Sequence, residues 1–162
     1  MASKFGFVKT MSNFEKLKRS LPIEVGNMGQ NHFRRSFEQQ GFVDKSLVKW
    51  KEVKRREPGT DAYKYPKKNA ADRHARGIMI GIRTKGSGPH LRDSVAQSNK
   101  KSTWNEILFT VPQPYAAVHN YGLRAGRGAG FIMPQRQFIG RSTVLLDAIK
   151  QKVNLSISRL HK

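Results

Sequence analysis

The chain contains no cysteine among its 162 residues. Disulfides, thiolate metal sites and cysteine nucleophiles are therefore excluded. The five histidines are scattered along the chain, and the neighbouring Asp72 and His74 have no second ligand cluster and lie in a basic segment that repels cations. We therefore expect no metal and no cofactor.

Long apolar runs are also missing, because no segment approaches the roughly 20 apolar residues that span a bilayer. Residues 1–16 become too polar after Val8 to form a signal peptide, so we expect a protein that is made and at first remains in a cytoplasm, without a membrane partner. Acidic residues are few: 11 Asp and Glu face 31 Lys and Arg, which gives a net charge of +20. Such a charge favours polyanionic partners, whether nucleic acids, anionic membranes or acidic protein surfaces.

The length fits a single domain over residues 1–162 with a real core. Hydrophobic residues make up 37% of the chain, which is low, so we expect part of it to be arm, loop or interface. Residues 1–12 are predicted to be an N-terminal tail. Residues 13–40 show helical periodicity, with Gly41 as the stop. Pro22 predicts a kink, or a short helix 12–19 followed by a main helix.

Residues 45–76 hold eleven Lys and Arg against four Asp and Glu, with little periodicity. We interpret them as a basic extended arm or loop, with Trp50 as its anchor in the core. Together with Tyr63 and Tyr65, Trp50 gives the arm a composition suited to stacking on nucleic acid, although no established nucleic-acid-binding motif is present. The candidate polyanion contacts are Lys49, Lys51, Lys54, Arg55, Arg56, Lys67 and Lys68.

The second half of the chain predicts an antiparallel β-meander followed by a helix. Residues 91–98 and 103–111 are interpreted as paired strands with the turn at 99–102, and 115–122 as a third strand or a strand-to-loop transition. From Arg141 to Leu160 the apolar residues fit one helical face, although 153–157 also alternate like a strand; we favour the helix because of its length. The prediction is an α+β domain whose C-terminal helix packs on the sheet.

His119 is the obvious candidate for a catalytic base, but residues 107–140 contain no Asp or Glu to orient it. A lone histidine in an apolar segment is more often structural. The glycines of residues 123–132 superficially resemble a phosphate loop, yet the Lys-Ser/Thr end and the flanking strand and helix of such loops are missing. We therefore predict a flexible loop and no enzymatic activity.

Four marks in order are FEQQGF followed by Trp50, HLRDS, PYAAVHNYG and MPQRQFIGRS. In this order and spacing they resemble the virion morphogenesis, or tail completion, family of tailed bacteriophages, which includes Mu-like and P2-like proteins and is similar to head–tail joining and tail-terminator proteins. The resemblance covers roughly residues 30–160. Its specific part is the last two motifs, whereas the other marks, including Trp50, are weak alone. The residues of the two motifs are Tyr115, Ala116, His119 and Gly122, and then Pro134, Arg136, Phe138 and Gly140.

The resemblance implies a non-enzymatic virion protein of a phage or prophage, located at the neck or tail end and assembled in the bacterial cytoplasm. Its expected partners are copies of itself in a ring, with six as the common number, other neck or tail proteins, and packaged DNA. Phe138 would insert into the core, and Arg136 would bind carbonyls or a carboxylate across a join. The alternative is a nucleic-acid-binding protein that uses the 45–76 arm.

Overall fold

The computed structural model describes residues 4–64, 76–80 and 90–160. Its first element is one long helix, α1, Lys4–Gln39, with Pro22 inside it. Residues 4–12, predicted to be a tail, are thus helical, and the helix is not divided at Pro22. Proline removes one backbone donor and crowds the preceding turn, but Leu21 and Pro22 are both buried. Packing at this point therefore offsets the local cost.

Two short strands, β1 Gly41–Val43 and β2 Leu47–Lys49, form an antiparallel pair directly after α1. A single 3-10 turn at Lys54–Arg56 and a short helix, α2 Asp61–Lys64, follow. The described part of the predicted extended arm is therefore folded. Trp50 anchors it in the core at 7% exposure. Residues 65–75, including Tyr65, Lys67 and Lys68, lie outside the described residues.

The predicted meander is wrong in detail. Residues 91–96 form a helix, α3 Leu91–Ala96, because Leu91, Ser94 and Val95 bury one face at helical spacing. The strand lies where the turn was expected: β3 Asn99–Ser102 pairs with β4 Ile107–Thr110, and the turn is at 103–106. Residues 116–121 are likewise a helix, α4 Ala116–Tyr121. The described strands form three separate two-stranded sheets, the third being β5 Arg124–Ala125 with β6 Phe131–Ile132.

The last helix, α5 Thr143–Ser158, confirms the helical reading of residues 153–157. It packs along α1 rather than on a sheet as predicted, and Lys152 pairs with Glu24 of α1. Ser142 caps it by accepting a hydrogen bond from the Leu145 N–H. The α+β class is confirmed, but the C-terminal helix packs against another helix and not against a sheet. No described helix is long and apolar enough to cross a membrane.

The core lies along the C-terminal half of α1, and this helix contacts β1, α3, β3, β4 and α5. Phe37 contacts the rings of Trp50 and Phe138, each with a centroid distance of 5.4 Å. Phe33 packs edge-on against Phe109 of β4 at 5.3 Å. The buried cluster consists of Phe33, Phe37, Phe42, Trp50, Ile78, Leu91, Val95, Ala116 and Phe138.

Candidate functional site

The PYAAVHNYG and MPQRQFIG segments meet in one hydrogen-bonded join, and Asn120 is its centre. This side chain is 2% exposed. Its Oδ1 accepts hydrogen bonds from the backbone N–H groups of Phe138 at 3.0 Å and Ile139 at 3.1 Å. The Arg136 N–H donates to the His119 carbonyl at 2.7 Å. We call this set of contacts between 119–123 and 133–139 the join.

Gly122 ends α4 in the left-handed conformation, with φ of 68° and ψ of 43°. Left-handed backbone favours glycine. A Cβ at this position would also lie 3.0 Å from the Gln135 Cβ and 3.2 Å from the Met133 carbonyl oxygen. The glycine thus lets α4 stop against the returning chain, and the Met133 N–H then donates to the Leu123 carbonyl at 3.1 Å.

Arg136 ties the join to the segment after Trp50. Its side chain is 5% exposed, and its guanidinium donates to the Lys51 carbonyl oxygen at 3.2 Å from both Nε and Nη2, and to the Glu52 carbonyl oxygen at 3.5 Å. Burial lowers the pKa of Arg136, partly offset by the charge of Glu52. The planar guanidinium of Arg136 therefore binds backbone carbonyl oxygens of the segment after Trp50.

Trp50 and Phe138 seal the same join from the core side. The Trp50 Nε1–H donates to the Gln137 carbonyl at 2.7 Å, and Phe138 is 1% exposed. Pro134 is half-buried, whereas Gly140 is exposed. The chain turns into α5 just beyond Gly140, and the Asp44 carboxylate accepts hydrogen bonds from the Thr143 N–H and hydroxyl at 2.7 and 2.8 Å. These bonds lower the pKa of Asp44.

His119 lies on α4, half-buried, with its ring edge-on to Tyr115 at a centroid distance of 6.1 Å. Its Nδ1 is buried and has no hydrogen-bond partner within the described residues. Burial lowers its pKa, and the charge of Arg136 lowers it further. Both effects favour the neutral ring, and no carboxylate of the described residues forms a hydrogen bond with it, as a catalytic triad would require.

Residues 123–132, predicted to be a flexible loop, form a hairpin in which Arg124 pairs with Ile132 and Ala125 with Phe131. The Arg124 guanidinium donates to the Ala129 carbonyl across the turn. Gly130 has a φ of 59°, and a Cβ there would lie 2.6 Å from the Ala125 carbonyl oxygen. The glycines therefore permit a tight turn.

The hairpin and its base expose a group of large apolar side chains. Their exposed fractions are 65% for Tyr121, 46% for Leu123, 57% for Phe131 and 70% for Ile132. All four lie within a few residues of the join, which fixes both ends of the hairpin. We call Tyr121, Leu123, Phe131 and Ile132 the apolar hairpin patch.

The arm residues predicted to contact polyanions divide into two groups. Arg55 donates to the carbonyl oxygens of Arg76 and Gly77, and Arg56 to the Gln40 side chain at 2.8 Å. These two arginines hold the arm against the fold. Lys49, Lys51 and Lys54 are exposed, although the Lys49 Nζ also donates to the Gln39 carbonyl.

Sequence reasoning gave His119 and Arg136 prominence and treated Asn120 only as a neighbour of the histidine. Asn120 is the residue that binds the second motif. One signal was available: an asparagine four residues after Ala116 shares its helix face, and a buried amide there needs partners. The helix itself had to be predicted first, and it was not.

The part of the chain that the structure describes holds no group of three or more metal-ligating side chains. In comparisons with known proteins, no family model, no curated protein and no solved structure matches the chain.

Proposed function

We propose that the chain is a structural virion protein of a tailed phage or prophage, which completes the tail or joins head to tail by assembling into a ring. The observation that carries this proposal is the apolar hairpin patch. Phe131 and Ile132 lie exposed on the β5–β6 hairpin, and Tyr121 and Leu123 lie exposed at its base, next to the buried network of the join. Several large apolar side chains exposed within one short segment favour a protein-binding role for it.

The chemistry of the join supports an assembly role over an enzymatic one. Its two most buried polar side chains bind the chain's own backbone: Asn120 accepts from two N–H groups, and Arg136 donates to two carbonyl oxygens. Groups committed in this way are not available to a substrate. They do, however, hold the hairpin in one position, which lowers the conformational entropy lost on association.

The proposal is tested on a phage whose genome encodes the chain. Mass spectrometry of purified virions is expected to find it in the neck or tail fraction, and deletion of its gene is expected to leave separate heads and tails in electron micrographs. Native mass spectrometry of the purified 18.4 kDa chain is expected to show a closed oligomer, six copies being the expected number. Virions that lack the protein and remain infectious without its gene would overturn the proposal.

The alternative, nucleic-acid binding by the arm, is favoured by the exposure of Lys49, Lys51 and Lys54. Each lysine that contacts a phosphate adds about 0.9 to the slope of log affinity against log salt for duplex DNA. Reversing Lys51 and Lys54 to Glu is therefore expected to reduce that slope by about 2. Lys16→Glu, an exposed change on α1, is the control. An identical loss in the control variant would assign the binding to overall charge and not to the arm.

A further inference from the structure

A second apolar surface lies at the middle of α1, where it runs between the β3–β4 hairpin and α5. It is an open cleft of about 480 Å³. Its walls include Leu21 and Val25 of α1, Ile107 of β4, and Ile149 and Val153 of α5. We call it the α1–α5 cleft. The apolar hairpin patch does not line it, so the chain does not fill the cleft with its own hairpin.

The two surfaces carry opposite charges at their edges. Glu106 lines the cleft at the β3–β4 turn and is exposed. Its carboxylate forms no ion pair with the residues that the structure describes. Arg127 is exposed at the turn of the β5–β6 hairpin, and Arg124 lies on its first strand. Carboxylates are scarce in this chain, which has 31 Lys and Arg against 11 Asp and Glu. The carboxylate of Glu106 beside the apolar cleft can therefore form an ion pair with the basic turn of a second copy.

The cleft and the hairpin lie at different levels of α1. The hairpin is rooted in the join, and the join contacts α1 through Phe138 and Phe37. The cleft contacts α1 at Leu21 and Val25. At 1.5 Å per residue, the stretch from Val25 to Phe37 spans about 18 Å. Two different surfaces at separate positions on one chain are what a head-to-tail contact between copies requires.

We propose that the β5–β6 hairpin of one copy docks in the α1–α5 cleft of a second copy. Phe131 and Ile132 cover the apolar walls, and Arg127 lies beside Glu106. This docking rests on the proposed function, because it names the contact that would build the ring. A head-to-tail contact of this kind closes into a ring when its rotation is a simple fraction of a turn and otherwise continues as a filament.

The main competing contact is a symmetric one between two hairpins. It would bring Arg124 and Arg127 of one copy close to the same residues of the other, and like charges at close range are unfavourable. It would also leave the cleft and Glu106 exposed. The charge pattern therefore favours the cleft of a second copy as the partner of the hairpin.

Disulfide crosslinking tests the docking cleanly, because the chain has no cysteine of its own. Ile132→Cys places a thiol on the hairpin, and Asn105→Cys places one at the exposed rim of the cleft. After mild oxidation, a mixture of the two single variants is expected to give a crosslinked dimer that contains one chain of each. The double variant is expected to give a ladder of larger products. Ser46→Cys, exposed in the β1–β2 turn, is the control thiol and should not crosslink with either variant.

Two results would overturn the docking. One is crosslinking of Ile132→Cys with itself as efficiently as with Asn105→Cys, which would identify the symmetric hairpin contact. The other is the absence of crosslinks, whether the chain is oligomeric or monomeric at the same concentration. If virions contain the protein but no crosslink forms, the docking fails and the virion role stands. If the crosslink forms but virions lack the protein, the docking stands and the virion role fails.

Charge reversal gives an independent measurement. Arg127→Glu alone and Glu106→Arg alone are each expected to raise the dissociation constant of self-association roughly fivefold, since an exposed ion pair contributes up to about 1 kcal/mol. The double variant is expected to recover most of the affinity, because the pair is restored with its signs exchanged. Additive losses in the double variant would contradict contact between these two side chains.

Discussion

Replacing Asn120 with alanine should destabilise the protein far more than a conservative surface change does. Asn120 Oδ1 is the only acceptor that the structure shows, within its described residues, for the N–H groups of Phe138 and Ile139. Both donors lie at the join, where Phe138 is 1% exposed. Alanine removes the acceptor and leaves both donors without one.

The expected magnitude follows from the cost of leaving buried donors unpaired. Each such group costs about 1–3 kcal/mol. The Phe138 donor is fully buried and the Ile139 donor partly buried, so water recovers some of the second loss. We expect the free energy of unfolding to fall by about 2–5 kcal/mol, which is a large share of the roughly 5–15 kcal/mol that holds a domain folded.

Urea unfolding followed by tryptophan fluorescence measures this loss. Trp50 reports on the join directly, because its indole N–H donates to the Gln137 carbonyl. Trp104, which is 46% exposed, is replaced by Phe in every variant so that Trp50 is the single reporter. The control is Asn154→Ala on the exposed side of α5, where we expect a change within about 0.5 kcal/mol. For Asn120→Ala the urea midpoint should fall without a change in the dependence of the free energy of unfolding on urea concentration.

A loss below about 1 kcal/mol in Asn120→Ala would refute the reasoning, because it would mean that the two N–H groups find other acceptors or water at little cost. An aspartate is not a neutral substitute at this position, because an ionised carboxylate at a 2% exposed site would carry its own desolvation cost. The comparison therefore stays between Asn120→Ala and the control Asn154→Ala.

Three further predictions concern other parts of the join. Gly122→Ala should cost at least about 1 kcal/mol more than Gly128→Ala, because both glycines have positive φ but only the Cβ at 122 meets neighbouring atoms; equal losses in thermal unfolding would contradict the steric argument. Arg136→Lys should lose about 1–3 kcal/mol in urea unfolding because lysine cannot make the forked contact with the Lys51 and Glu52 carbonyls, and full stability would show that the contact is dispensable. The pKa of His119 is lowered below 6.5, so as the pH falls the unfolded state binds a proton before the folded state does. The free energy of unfolding should therefore fall as the pH drops through the range just below 6.5. His119→Gln should flatten that pH dependence, and an unchanged dependence would assign it to other groups.

The long helices could be predicted from the sequence, because their apolar periodicity extends over several turns. Residues 13–40 and the whole of α5 were expected to be helical, and α1 ends at Gln39. The first turns of α1 were missed because Phe7, Val8 and Met11 stand among polar residues, as in a tail. In the structure these side chains are exposed, so no burial marks the start of the helix. The division at Pro22 was wrong because the burial of Pro22 depends on α1's tertiary surroundings, which no local rule contains.

The β-meander was wrong for a different physical reason. Helices of six residues such as α3 and α4 are too short for their periodicity to be told from that of a strand. Val95 fits an alternating pattern as well as a helical one. Burial of Leu91, Ser94 and Val95 against α1 decides between them, and that contact joins residues far apart in sequence. The role of Asn120 was missed for the same reason, since its partners lie in the next motif.

Fixing the join and presenting the hairpin are one property of the molecule. The hairpin has strands of only two residues, and a pair of this length is not stable alone in water. Its position therefore depends on the Met133–Leu123 bond and on the Asn120 and Arg136 contacts just behind it. Weakening those contacts should reduce self-association even in conditions where the rest of the fold persists, because a loosened hairpin must be ordered again on docking. Arg136→Lys touches neither proposed binding surface. It would then lower the affinity of self-association only by loosening the hairpin of the unbound chain.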